Sequence, residues 1–262
     1  MFNELIEQFK AAQVAAADAY HAVSRAERLL FPNVESYLHA TKTRSSYKTE
    51  RELSSFCRDL AAAIVRRACR NFAPPGGSLS IAREDELEEC GIDLHEALEK
   101  GEVPDLDALW RHLERKFSGE GGATLAYEQA ARSIIDGFYL KPSSEMKRTS
   151  SGVVIDMSAQ SEECWNRKGQ RTLSVYARDR VSACFRGLAT VARKASFDEL
   201  ASQLADGRFL GEEYSSRAKL SFSGLDVTRF NDKWQCRFSF AVGDALSLFI
   251  SEFGAAYLST RG

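Results

Sequence analysis

The sequence predicts a mainly α protein with a small antiparallel β-sheet. This α+β chain opens on a long N-terminal helical hairpin and closes on a helix–β-hairpin–helix unit. Three observations predict it. Apolar residues recur at helical spacing through most of the chain. Strand-like alternation begins only after Lys141-Pro142-Ser143-Ser144. Pro/Gly-rich breaks at 73–77 and 118–122 separate the helical segments. The chain of 262 residues, 44% hydrophobic and 27% charged, has ordinary globular values and enough length to bury a core.

The first helix is expected over Asn3 to Leu30, about 42 Å long at 1.5 Å per residue. Leu5, Phe9, Ala12, Ala16, Ala19, Val23, Ala26 and Leu30 alternate by four and three, a heptad seam. Asn3 reads as its N-cap, with Pro32 just beyond the seam. An intramolecular helical hairpin, hence a monomer, is favoured over a coiled-coil dimer, because short connections make antiparallel neighbours. A polar stretch, 36–49, leads to a helix over Glu50 to Phe72 with Leu53, Phe56, Leu60, Ile64 and Ala68 on its apolar face. Ala-Pro-Pro-Gly-Gly at 73–77 ends it. Shorter helices follow near Leu94 to Lys100, Leu106 to Phe117 and Thr124 to Phe138, with the glycines at 119, 121 and 122 as a helix break.

A domain division is expected near residue 142, giving regions 1–142 and 143–262. In the second region, Val153-Val154-Ile155 reads as a strand. A helix over Thr172 to Lys194 puts Ala177, Val181, Cys184, Phe185, Leu188 and Ala192 on one face. Ser196 reads as the cap of the next helix, whose first turn holds Asp198 and Glu199. Strands are expected near Ala218 to Phe230 and Lys233 to Phe240, joined by an Asn231-Asp232 turn. Alternation places Trp234, Cys236, Phe238 and Phe240 on one face, against a last helix over Asp244 to Leu258.

No apolar run reaches the length of a membrane span, and the opening MFNELIEQFK is acidic where a signal peptide would be basic, so a cytoplasmic protein is expected. Cys57, Cys69, Cys90, Cys164, Cys184 and Cys236 form no C-x-x-C pair and read as reduced, mostly core thiols. No structural metal and no cofactor is expected from these spacings. Phosphate-loop, dinucleotide-turn, nucleophile-elbow and H-E-x-x-H patterns are all missing. Cys90 and His95 lie in an acidic run that disfavours a thiolate. A non-enzymatic protein is therefore the expected reading.

Charge is the more telling feature. A net charge of −2 hides strong segregation. Lys42, Arg44, Lys48, Arg51, Arg58, Arg66, Arg67 and Arg70 face only Glu50, Glu52 and Asp59. Arg167, Lys168, Arg171, Arg178, Arg180, Arg186, Arg193 and Lys194 face only Asp179. Residues 84–107 hold eleven carboxylates and one lysine. Solvated faces are one reading. Phosphate contact through Arg58, Arg66, Arg67, Arg70, Arg167, Lys168, Arg171, Arg178 and Arg186 is a second, with Tyr47, Trp165 and Tyr176 available to stack bases. The third is docking on a protein partner through Glu84, Asp85, Glu86, Glu88, Glu89 and Asp93, an acidic surface that steers association.

The stretch from Leu225 to Phe238, followed by Asp244 to Gly254, resembles the end of the bacterial domain-of-unknown-function 4942 family. That family closes on a strand, an Asn-Gly turn, a strand ending in Phe and a helix finishing in an aromatic-Gly pair. Asp232 stands where the family usually has glycine and Gln235 where it often has histidine, so no ligand role is carried over to the hairpin. The resemblance implies a protein of phages, plasmids or integrative elements, some of whose relatives accompany DNA methyltransferases. This chain lacks the methyltransferase motifs, so the resemblance implies a non-catalytic role in counter-defence, such as binding a CRISPR effector or another host nucleoprotein complex. The alternative is a DNA- or RNA-binding accessory of DNA modification.

Overall fold

A computed structural model describes residues 1–35, 38–42, 45–144 and 146–261; Arg44 and part of the polar stretch 36–49 lie outside them. It is mainly helical with a small antiparallel sheet, as the sequence predicts, and a second, three-stranded antiparallel sheet that the sequence reading lacks. The chain forms two compact units, residues 1–68 with 81–118 and residues 69–80 with 119–262.

The first unit contains α1 (Phe2–Leu30), most of α2 (Ser46–Phe72), α3 (Arg83–Glu89), α4 (Leu94–Glu99) and α5 (Leu106–Phe117). α3 is an element the sequence reading lacks. Asn3 lies inside α1, not at its cap, and bonds elsewhere: its side chain donates to Asp105 at 2.8 Å and accepts from the Asp107 amide at 3.1 Å. Asp107 returns the favour, accepting from the amides of Phe2 (2.8 Å) and Asn3 (3.4 Å). The first turns of α1 and α5 thus satisfy each other's orphan donors. Phe9 stacks on Phe56 of α2 with centroids 4.2 Å apart. The expected seam is otherwise not the buried face of α1. Ile6, Gln13 and Ser24 are buried, whereas Leu5, Val23 and Leu30 are exposed, so the covered face lies about one residue on from the expected seam. The covered face of α2 is likewise Cys57, Ala61, Ile64, Val65 and Ala68, sharing Ile64 and Ala68 with the expected one. In α5, Leu106, Leu109, Leu113 and Phe117 follow helical spacing inward.

The second unit contains α6 (Glu120–Phe138), β1 (Lys147–Thr149), β2 (Gly152–Ser158), β3 (Ser161–Glu163), β4 (Gln170–Leu173), α7 (Val175–Lys194) and α8 (Asp198–Asp206). It continues through β5 (Tyr214–Ser215), β6 (Ala218–Phe222), β7 (Leu225–Arg229), β8 (Lys233–Phe238), α9 (Phe240–Phe253) and α10 (Ala255–Ser259). The larger sheet has the order β1-β2-β8-β7-β6 and the smaller β3-β4-β5. This unit takes in α6 and residues 69–80, upstream of the division expected near residue 142. The reason is the close approach of α6 to α7. An added Cβ at Gly137 would lie 2.5 Å from the Cys184 Cβ, and one at Gly187 2.8 Å from the Ala130 carbonyl.

The face predicted for α7 is buried in full. Trp234, Cys236 and Phe238 enter the same core; Phe240 does not, since it opens α9 instead of ending the strand. Three further boundaries move for local reasons. Gly224, at φ 83°, splits the expected long strand into β6 and β7. Ser239 caps α9 from ahead of Gly243, accepting from the Val242 amide at 3.4 Å. Ser196, at φ 63°, precedes α8 without capping it. Of the glycines at 119–122, only Gly119 lies at the break; Gly121 and Gly122 are helical.

Candidate nucleic-acid interface

β3 and β4 form a short hairpin, with Ser161 opposite Leu173 and Glu163 opposite Arg171. Its tip, Cys164-Trp165-Asn166-Arg167-Lys168-Gly169, is closed by the Cys164 amide on the Gln170 carbonyl at 2.8 Å. Trp165 stands wholly in solvent at 103% relative exposure. Leaving such a ring in water forgoes burial worth about 1.5–3 kcal/mol for a large apolar side chain. Lys168 beside it is exposed and makes no ion pair among the described residues. Arg167 reaches Glu213 at 3.0 Å.

The base of the hairpin is locked. Arg171 donates to the Ser161 hydroxyl at 2.8 Å and to its carbonyl at 2.6 Å. Ser161 in turn donates its amide (3.1 Å) and hydroxyl (2.5 Å) to Asn231, in the turn between β7 and β8. The Asn231-Asp232 turn therefore works as an anchor for the neighbouring hairpin. Arg171 is a strut, not a free cation. Immediately beyond β4, Ser174 caps α7 by accepting from the Ala177 amide at 3.3 Å, and Tyr176 and Arg178 project from the first turns. Arg178 comes within 3.5 Å of the Thr172 hydroxyl. Trp165, Lys168, Tyr176 and Arg178 thus belong to one continuous hairpin-to-helix segment, an arrangement of stacking faces and cations suited to a nucleic-acid strand. Arg186 is separate. It sits eight residues on, about 12 Å along the helix axis, and lines a cavity between α6 and α7.

The remaining predicted residues belong to the first unit, apart from Arg70. Arg67 stacks over Trp110 at 4.9 Å, and Arg66 and Arg70 are exposed without an ion pair among the described residues. Arg58 lines a cavity of about 520 Å³ with Glu84, Glu88 and Asp93.

The acidic run is largely engaged internally. Glu86 is 5% exposed and accepts from Lys116 at 3.0 Å, with His112 at 2.8 Å; it is not a surface group. Lys116 also donates to Glu89 at 2.7 Å, which holds the Glu89 carboxyl below its usual range. Burial works against the Lys116 ammonium, but Glu89 and Glu86 raise its pKa overall. Glu84 is held low by Arg83, and Asp93 by the amides of Glu96 and His95, which it caps. Asp85 and Glu88 remain exposed.

Glu86, Glu89 and His112 place one ligand atom each within 4.8 Å, the set through which this unit could hold a divalent cation. Spacing rules miss it because its members come from two helices. Lys116 already occupies the position of the cation's charge. Burial raises the thiols of Cys57, Cys90, Cys164, Cys184 and Cys236, away from thiolate character, and Glu86 and Glu89 add to the rise at Cys90. No helix among the described residues is long and apolar enough to cross a membrane. No family model matches the chain, and no curated protein or solved structure matches it either.

Proposed function

We propose that this chain is a non-enzymatic binding protein that engages nucleic acid, free or within a host nucleoprotein complex, through the β3–β4 tip and the start of α7. The observation that carries the reading is the fully exposed Trp165 next to the unpaired Lys168. An exposed indole beside a free ammonium matches how single strands are held, by stacking plus phosphate attraction. The run of raised thiols and the lack of catalytic motifs support a binding role. The family resemblance adds a setting, a mobile element acting against a host defence complex. The engaged state of Glu84, Glu86, Glu89 and Asp93 favours the tip over the acidic run as the contact surface.

The test is fluorescence anisotropy with a labelled single-stranded oligonucleotide at several salt concentrations. Binding should weaken linearly in log salt, with a slope near −0.7 per phosphate engaged, and W165A with K168E should abolish it. Undiminished binding by that variant overturns the reading.

A further inference from the structure

The cavity lined by Arg186 is built from residues of the second unit alone. It measures about 350 Å³ and lies over the closely packed stretch of α6 and α7, where Ala130, Ala183 and Gly187 form a floor of small residues. Its rim is polar. Gln129 spends both ends of its amide on the backbone of Ser80, accepting from its amide at 2.9 Å and donating to its carbonyl at 2.6 Å. That clamp fixes the segment carrying Ser78 and Ser80 against α6. The hydroxyls of Ser133 and Thr190 are turned onto their own helices, donating to the Gln129 carbonyl (2.9 Å) and the Arg186 carbonyl (3.1 Å). They bring no free proton to the cavity.

Four groups do. Arg132 lines the cavity with its guanidinium carbon 4.7 Å from the Tyr257 ring centre, and its N–H groups make no hydrogen bond or ion pair among the described residues. Tyr257 is itself held by its hydroxyl on Asp136 at 2.9 Å. Arg186 has no ion pair or hydrogen bond from its side chain among the described residues. The hydroxyls of Ser78 and Ser80 are equally unpartnered there. No carboxylate lines the cavity. Two guanidinium groups and two free hydroxyls around a concave, acid-free surface lack only a multivalent anion, because each fork pairs best with two oxygens of one group.

We propose that this cavity binds a phosphomonoester, with Arg132 and Arg186 gripping the phosphoryl oxygens and Ser78 and Ser80 donating to them. A phosphoryl dianion offers three terminal oxygens to these donors, more than a carboxylate supplies. The volume is at the small end of the roughly 300–1,000 Å³ of ligand pockets, which admits a phosphate and a modest attached group but not a run of polymer. The phosphate can come from a small metabolite or from the 5′ end of a nucleic acid. The site does not depend on the Trp165 tip.

Isothermal titration calorimetry of the full chain with inorganic phosphate tests it. The wild type should bind phosphate, with sulfate competing, and R132Q with R186Q should weaken binding about tenfold or more, as loss of charge-assisted hydrogen bonds does. Circular dichroism confirms that the variant is folded, and S78A gives a milder, independent loss. Absence of phosphate binding by the wild type, or unchanged affinity in the folded double variant, overturns the proposal. The source is read by comparing 5′-phosphorylated with 5′-hydroxyl oligonucleotides in W165A. Preference for the phosphorylated end assigns the site to nucleic-acid termini, and phosphate binding without that preference assigns it to a small compound.

Discussion

Two hairpins of the second unit each carry a tryptophan, and the two rings have opposite fates. Trp234 on β8 is 0% exposed, edge-on to Phe185 and Tyr214, with its indole N–H 3.3 Å from the Tyr214 hydroxyl. Trp165, at the β3–β4 tip, touches water on every side. The flanking residues explain the difference. Trp234 alternates with Cys236 and Phe238, so one pleated face delivers all three to the helices. Trp165 is surrounded by Asn166, Arg167 and Lys168, which have no reason to leave solvent. A large ring is hidden where its neighbours are apolar. Where they are charged, it is available to a partner.

The largest expected effect comes from breaking the buried side of this pair. Trp234→Ala should cost about 3–5 kcal/mol, with a cavity between β8 and α7 and an unpartnered Tyr214 hydroxyl. Urea unfolding measures it, and a loss under about 1 kcal/mol would mean that the ring is not a core group. Trp165→Ala should leave the urea midpoint unmoved and instead weaken single-strand binding by about 1–3 kcal/mol, the worth of one stacked base. A stability loss matching that of Trp234→Ala would erase the contrast.

A smaller perturbation tests how tightly the helices behind Trp234 are packed. In Gly187→Ala the new methyl would meet the Ala130 carbonyl at 2.8 Å and Ile134 at 2.9 Å. Overpacking of about 1–3 kcal/mol opposes about 1 kcal/mol of improved helix propensity, so a net loss of roughly 1–2 kcal/mol is expected at the top of that range. Thermal unfolding detects it; a stabilised variant would show that α6 and α7 separate freely.

The buried tryptophan was legible in the sequence, and the exposed one only in part. Period-2 alternation marks Trp234, Cys236 and Phe238 directly, and the 3.6-residue period marks the covered face of α7. The β3–β4 hairpin gives no such signal. Its strands are three and four residues of mostly polar sequence, held by the Arg171 fork on Ser161 and by Asn231, seventy residues from Ser161. Basic character near Trp165 was visible, but not which cations are spent as struts. The same limit applies in the first unit. The heptad seam of α1 is real as a pattern, yet periodicity does not say which neighbour covers it. The inward turn of Glu86 depends on His112 and Lys116 of a different helix.

The smallest effect lies on the solvent face of the sheet that buries Trp234. Asp156 sits opposite Gln235 on β8 and accepts from Lys233 Nζ at 2.6 Å and Gln235 Nε2 at 3.0 Å. Partial burial alone would push its carboxyl up, but the bonds from Lys233 and Gln235 prevail and hold it below the usual aspartate value. A carboxyl depressed in the folded state binds its proton more readily when unfolded, so its contribution is full above the unfolded pKa of about 3.9. That contribution is lost as pH falls through the lower folded value. With both side chains of the Asp156–Lys233 pair nearly half exposed, solvent limits the effect to about 0.2–1 kcal/mol. Asp156→Asn should therefore lower stability slightly at pH 7 and converge with the wild type under acid conditions. Urea midpoints at neutral pH and below pH 3 measure the two ends. A difference that persists undiminished in acid would assign the loss to packing of the outer face, not to the charge on Asp156.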